Sequence, residues 1–117
     1  MREYDCSGHY SDLMRVPSGH FKLSGVKSWD GDKIKGDTVS EQFHKIMVHL
    51  SRSLNEAGIM IKDITFVSVF LSDLSLYNEL NDVYSQYFPH KPCRAVIGAQ
   101  LRSGALVEIV VEGWSND

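Results

Sequence analysis

The stretch TFVSVFLSDLSLYNELNDVYSQYFPHKPCRAVIGA, residues 65–99, holds the succession of patterns that decides the fold. Residues 65–71, TFVSVFL, are rich in β-branched and aromatic side chains, which suit a central strand better than a helix of the same length. Ser75 follows as an N-cap type, whose hydroxyl can accept from an unpaired backbone N–H. Behind it Leu76, Leu80, Val83, Tyr84 and Tyr87 recur at helical spacing until Pro89, which lacks the N–H that a helix needs. A second strand is expected over 94–99.

Downstream, a turn around Ser103 and Gly104 leads to a strand over 106–112, in which Val107, Ile109 and Val111 alternate with other residues. Upstream, Thr38 and Glu41 have the spacing of a capping box and precede Val39, Phe43, Ile46, Met47, Leu50 and Leu54. That predicts an amphipathic helix ending at Ala57 and Gly58, where glycine takes the left-handed conformation of a C′ residue. Before it, HFKLSGVK (residues 20–27) alternates like a half-buried strand after a turn at Pro17, Ser18 and Gly19. Asp30-Gly31 is a hairpin signal, and Gly36 marks a second turn. Residues 1–12 are polar and aperiodic, which predicts a flexible N-terminal arm ahead of a single domain over 13–117.

The expected order is β-β-(β)-α-β-α-β-β: an α+β fold, a mixed sheet with two helices on one face. The second sheet face then needs a cover, and association with further copies of the chain is the simplest one. A length of 117 residues and a mass of 13.2 kDa fit one modest core. With 43% hydrophobic and 23% charged residues, the chain has the composition of a folded globular protein. The formal net charge of -3 disfavours nucleic acid as a partner. No apolar run approaches the roughly 20 residues of a bilayer span, and the N-terminus has no apolar signal region, so no membrane partner is expected. Cys6 and Cys93 form no CxxC pair and read as free thiols in a reducing compartment, cytoplasmic or mitochondrial.

The five histidines, His9, His20, His44, His49 and His90, show no metal-ligand spacing, and neither a glycine-rich phosphate loop nor a GxSxG nucleophile elbow occurs. Two charges stand out instead. Arg94 lies in PCRAVIGA and Glu108 in ALVEIVVE, both inside apolar strands. Burying either alone would cost several kcal/mol, so each must be paired, solvated or turned to a polar cavity. One reading is an inert ion pair or two exposed edge positions. The other is a cleft where the guanidinium clamps a carboxylate and the glutamate places water.

LSG (23–25), EAG (56–58), VSVFLSDLSLYNELNDVYSQYF (67–88), KPCRAV (91–96) and ALVEIVVEG (105–113), in this order, resemble the Rid family, also called the YjgF or endoribonuclease L-PSP family. The resemblance implies a homotrimer with a chorismate-mutase-like barrel and clefts between subunits. It also implies hydrolysis of reactive 2-imino acids, of the 2-iminopropanoate and 2-iminobutanoate type, to 2-keto acids and ammonia, without metal or cofactor. On the matching positions Arg94 would grip the substrate carboxylate and Glu108 would serve the attacking water. Tyr10, Ser24, Gly25, Asn81 and Cys93 would line the substrate. Val26 stands where the family pattern has a glutamine. Similar domains at the C-terminus of eukaryotic diphthine-ammonia ligases imply a second reading, a non-catalytic assembly or ligand-sensing domain. A third, endoribonuclease activity, runs against the acidic balance.

Overall fold

The computed structural model describes the backbone of residues 2–7 and the whole of residues 9–116. The capping box forms as the spacing predicts: Thr38 Oγ1 accepts from the Glu41 N–H at 3.1 Å, and Glu41 Oε1 accepts from the Thr38 N–H at 3.2 Å. Helix α1, Val39–Glu56, buries Phe43, Ile46, Met47, Leu50 and Leu54 along one stripe. It ends at Ala57, and Gly58 takes a φ of 70°, the left-handed value that glycine adopts without steric cost. The Arg15 guanidinium donates from Nη2 to the Ala57 carbonyl at 2.9 Å, satisfying a helix-end acceptor in the interior.

The second helix differs from its expected form at both ends. Asp73, not Ser75, is the capping side chain: its carboxylate accepts from the Ser75 N–H at 2.8 Å and starts a 3-10 turn, Leu74–Leu76. Helix α2, Tyr77–Tyr84, then stops ahead of Pro89. The following turn carries N–H donation from Tyr87 to the Tyr84 carbonyl at 3.0 Å and drops Phe88 into the core. Burying that ring outweighs continuing the helix toward a proline.

Among the described residues eight strands accompany the helices: β1 Arg2–Ser7, β2 Tyr10–Arg15, β3 His20–Leu23, β4 Trp29–Asp30, β5 Lys33–Ile34, β6 Ile64–Leu71, β7 Cys93–Gly98 and β8 Val107–Trp114. Six form one sheet in the order β1-β2-β3-β8-β6-β7, with β6 and β7 parallel and every other pair antiparallel. This mixed sheet with two helices is the expected α+β fold. Strands β4 and β5 pair only with each other, at the Asp30-Gly31 turn.

Of residues 1–12, expected as a loose arm, 2–7 and 10–12 lie in strands β1 and β2. The hairpin extends the sheet because β2 docks on β3 with Leu13 opposite Leu23, both buried. Cys6 lies among the residues whose side chains are outside the description.

The registers assign the two faces. Val67, Val69 and Leu71 of β6 share one face with Val107, Ile109 and Val111 of β8, and all six are buried in the core with the helices. Phe66, Ser68 and Phe70 share the opposite face with Glu112, Val110 and Glu108, all only half-buried. The alternating valines and isoleucine thus face the helices, and the uncovered surface belongs to their neighbours. Among the described residues, no helix is long and apolar enough to cross a membrane.

Candidate active site

Arg94 is placed by the parallel pair β6 and β7, where it stands opposite Val67 and therefore on the helix face of the sheet. Three side chains of α2 receive it. Its Nη1 donates to Asn81 Oδ1 at 2.9 Å and its Nη2 to the Tyr77 hydroxyl at 3.1 Å. The guanidinium carbon lies 4.8 Å from the Tyr84 ring centroid and 5.7 Å from that of Tyr77. A guanidinium offers five N–H donors, so this setting fixes the fork in two directions and leaves donors for a further anion. The Tyr84 hydroxyl is buried with no hydrogen-bond partner among the described residues. Burial pushes its phenol up to about 12, and the nearby Arg94 charge pulls in the other direction.

Glu108 lies on the other face. It sits opposite Phe70 in β8, and the segment after β3 reaches it through a single bridge between Val26 and Ile109. That bridge turns Val26 toward the core and brings Gly25 and Lys27 against Glu108. Lys27 Nζ is 3.3 Å from Glu108 Oε1. At Gly25 a Cβ atom would fall inside van der Waals contact with the Glu108 carboxylate, so the absence of a side chain there lets the carboxylate lie over the backbone. Ser24 donates from its hydroxyl to the Ser11 carbonyl at 2.7 Å, pinning the strand end to β2. A cavity of about 530 Å³ opens beside this group, lined among others by Tyr10, Asp12, Ser24, Gly25, Lys27 and Trp29.

The expected site residues fall into two groups. Asn81 holds Arg94 on the helix face; Gly25 lies against Glu108 on the other, and Tyr10, Ser24 and Gly25 line the cavity, which His49, Arg52 and Ser53 of α1 also border. The simple ion pair between Arg94 and Glu108 does not form within a chain, because each has other partners on its own side of the sheet. Cys93, adjacent to Arg94 in sequence, pairs in register with Phe66 on the open face as an exposed free thiol. Tyr77, Tyr84 and Lys27 were not singled out from the sequence. Tyr77 and Tyr84 carried a signal, since positions 77, 81 and 84 follow helical spacing and share one face. Lys27 carried none, because its carboxylate partner lies far along the chain.

The model of the family described as endoribonuclease L-PSP matches residues 2–112. The chain belongs to this family. A RutC family protein of Pyrococcus abyssi is 37% identical over 107 residues, which span 87% of this chain and 83% of that protein. A protein named 3-aminoacrylate deaminase RutC, from Acinetobacter baylyi, is 36% identical over 76 residues, or 63% of this chain and 60% of that one. Among solved structures, a YjgF family member from Neisseria meningitidis superposes with a TM-score of 0.87 at 26% identity, covering 99% of this chain and 95% of that chain. The Rid/YjgF resemblance read from the motifs is thus membership, and the sheet with its two helices is the fold of these structures.

Proposed function

We propose that the protein hydrolyses small 2-imino acids to 2-keto acids and ammonia, in clefts where the Arg94 half-site of one copy meets the Glu108 half-site of the next in a homotrimer. The observation that carries this reading is the division of the two groups between opposite faces of one sheet. A fixed guanidinium and a carboxylate beside a cavity are each half of a hydrolytic site, and a second copy is the simplest way to bring them together. The half-buried Phe66, Phe70 and Val110 offer that copy an apolar surface. The deaminase named among the relatives supports the same class of reaction, loss of ammonia from a small carboxylate.

In this reading the free N–H donors of Arg94 take the substrate carboxylate, and Asn81 with the two tyrosines holds the fork in place. An imine protonated on nitrogen is already electrophilic at carbon. Glu108 accepts a proton as water adds to that carbon, and the C=N electron pair moves to nitrogen. Glu108 passes that proton to nitrogen, the C–N bond breaks with its electron pair going to nitrogen, and the remaining hydroxyl proton leaves with the ammonia as ammonium, so that the ketone forms. The sum is imine plus water giving 2-keto acid plus ammonia.

The test is a coupled assay. A dehydratase generates 2-iminopropanoate or 2-iminobutanoate, and the appearance of keto acid is followed with and without the protein. Acceleration at micromolar protein is expected; an unchanged rate would leave the domain as an assembly or ligand-sensing module.

A further inference from the structure

Two acids of β8 stand on the face away from the helices, Glu108 opposite Phe70 and Glu112 opposite Phe66, and each meets a different basic side chain. Glu112 lies 3.1 Å from His20, in a pair whose side chains are 34% and 37% exposed. Glu108 lies 3.3 Å from Lys27, in a pair drawn much further from water, the glutamate 19% and the lysine 10% exposed. Stability is a weak reason for such a pair, because charges taken out of water carry a desolvation cost and apolar side chains of similar volume often hold a fold at least as well. The backbone makes the contact specific. The Val26 N–H donates to the Ile109 carbonyl at 2.8 Å and the Ile109 N–H to the Val26 carbonyl at 3.1 Å. This two-way bridge sets Lys27, the residue after Val26, against Glu108, the residue before Ile109. The ammonium then meets Oε1, while Oε2 lies over the backbone of Gly25. Both carboxylate oxygens are thereby held, one by charge and one by contact.

We infer that Lys27 is a positioning residue for imine hydrolysis, whose ammonium fixes the plane and direction of the Glu108 carboxylate that accepts the proton of the attacking water. This rests on the reading of the site given above. A glutamate side chain free of such a partner samples several rotamers, and few of them would aim an oxygen at water poised over C2 of a substrate gripped by Arg94 of the neighbouring copy. Lys27 gives up no proton and bonds to no substrate atom, so the sum of the reaction is unchanged. It acts through Glu108 and apart from the carboxylate grip, so its loss falls on the chemical step rather than on binding.

The experiment measures kcat and KM for 2-iminobutanoate made in the coupled assay, and calorimetric affinity for 2-oxobutanoate, on wild type, Lys27→Met and Lys27→Arg. Methionine keeps much of the side-chain volume without charge or N–H donors. It should lower kcat at least about tenfold while KM and 2-oxobutanoate affinity stay within about twofold of wild type. Arginine restores a cation and donors beside Glu108, and should recover at least about fivefold of the lost kcat. Should the methionine variant fail to fold, Lys27→Gln takes its place as the uncharged variant, with the same split expected. An unchanged kcat in the uncharged variant would make the pair an inert salt bridge and overturn the inference. So would a raised KM at unchanged kcat, the mark of a direct substrate contact, or an arginine variant no faster than the uncharged one. In each of those cases an active wild type leaves the hydrolytic reading standing, whereas a wild type that does not speed imine hydrolysis overturns both.

Discussion

Arg94 holds its position through three neighbours that differ in kind: an amide oxygen, a phenolic hydroxyl and an aromatic face. Arg94→Lys would keep the charge and lose the planar fork, so it should lower turnover strongly, by about a hundredfold, through misorientation of the substrate. Glu108→Gln should lower the chemical step while 2-keto acid affinity, read by calorimetry, largely survives. Tyr84 permits a prediction of opposite sign. Its ring supports Arg94, but its hydroxyl is buried without a partner, so Tyr84→Phe should keep the platform and raise stability by about 1 kcal/mol in denaturant titration. The pH dependence follows from the phenol being held up to about 12, above its ordinary 10.0. The unfolded chain then loses this proton first, so stability is full below pH 10 and declines as pH rises toward 12. Alkaline unfolding of the phenylalanine variant should show a shallower decline; an unchanged slope would mean that Tyr84 plays no part in it.

Among the elements, α1 was legible because its signals are local: a cap, a box partner three residues on, and a stripe at helical period. Thr38→Ala should therefore cost about 1 kcal/mol, measured as a lower denaturant midpoint. The start of α2 was misplaced because Asp73 and Ser75 are both capping types, and only the geometry shows which side chain accepts from which N–H. The bonds from the Ser75 backbone and then its side chain hold the Asp73 carboxyl below its ordinary value. That contribution is present above the ordinary value and is lost as pH falls through the lowered one, a loss that Asp73→Asn should abolish. Strands β1 and β2 were not legible, since β2 gains order from pairing with β3, and β1 from pairing with β2, rather than from a pattern of their own. Arg94 and Glu108 stood out as charges in apolar strands, but which face each occupies depends on register. A slip of one residue would reverse it, and no local signal reports it.

At the scale of the molecule, the helices cover one face of the sheet and leave Phe66, Phe70 and Val110 half-buried on the other, with Ile97 42% exposed nearby. In the proposed trimer a second copy would cover this surface and join the two groups of residues. Light scattering should give three times the chain mass of 13.2 kDa; a stable monomer at micromolar concentration would remove the shared cleft. The most direct test of that cleft mixes two inactive variants, Arg94→Ala and Glu108→Gln, by joint refolding. Each lacks a different half-site. If every cleft takes Arg94 from one copy and Glu108 from its neighbour, a mixed trimer regains one intact cleft, and an equal random mixture should recover about a quarter of wild-type imine hydrolysis. Turnover no greater than the sum of the separate variants, in trimers shown by mass to be mixed, would contradict a site shared between subunits.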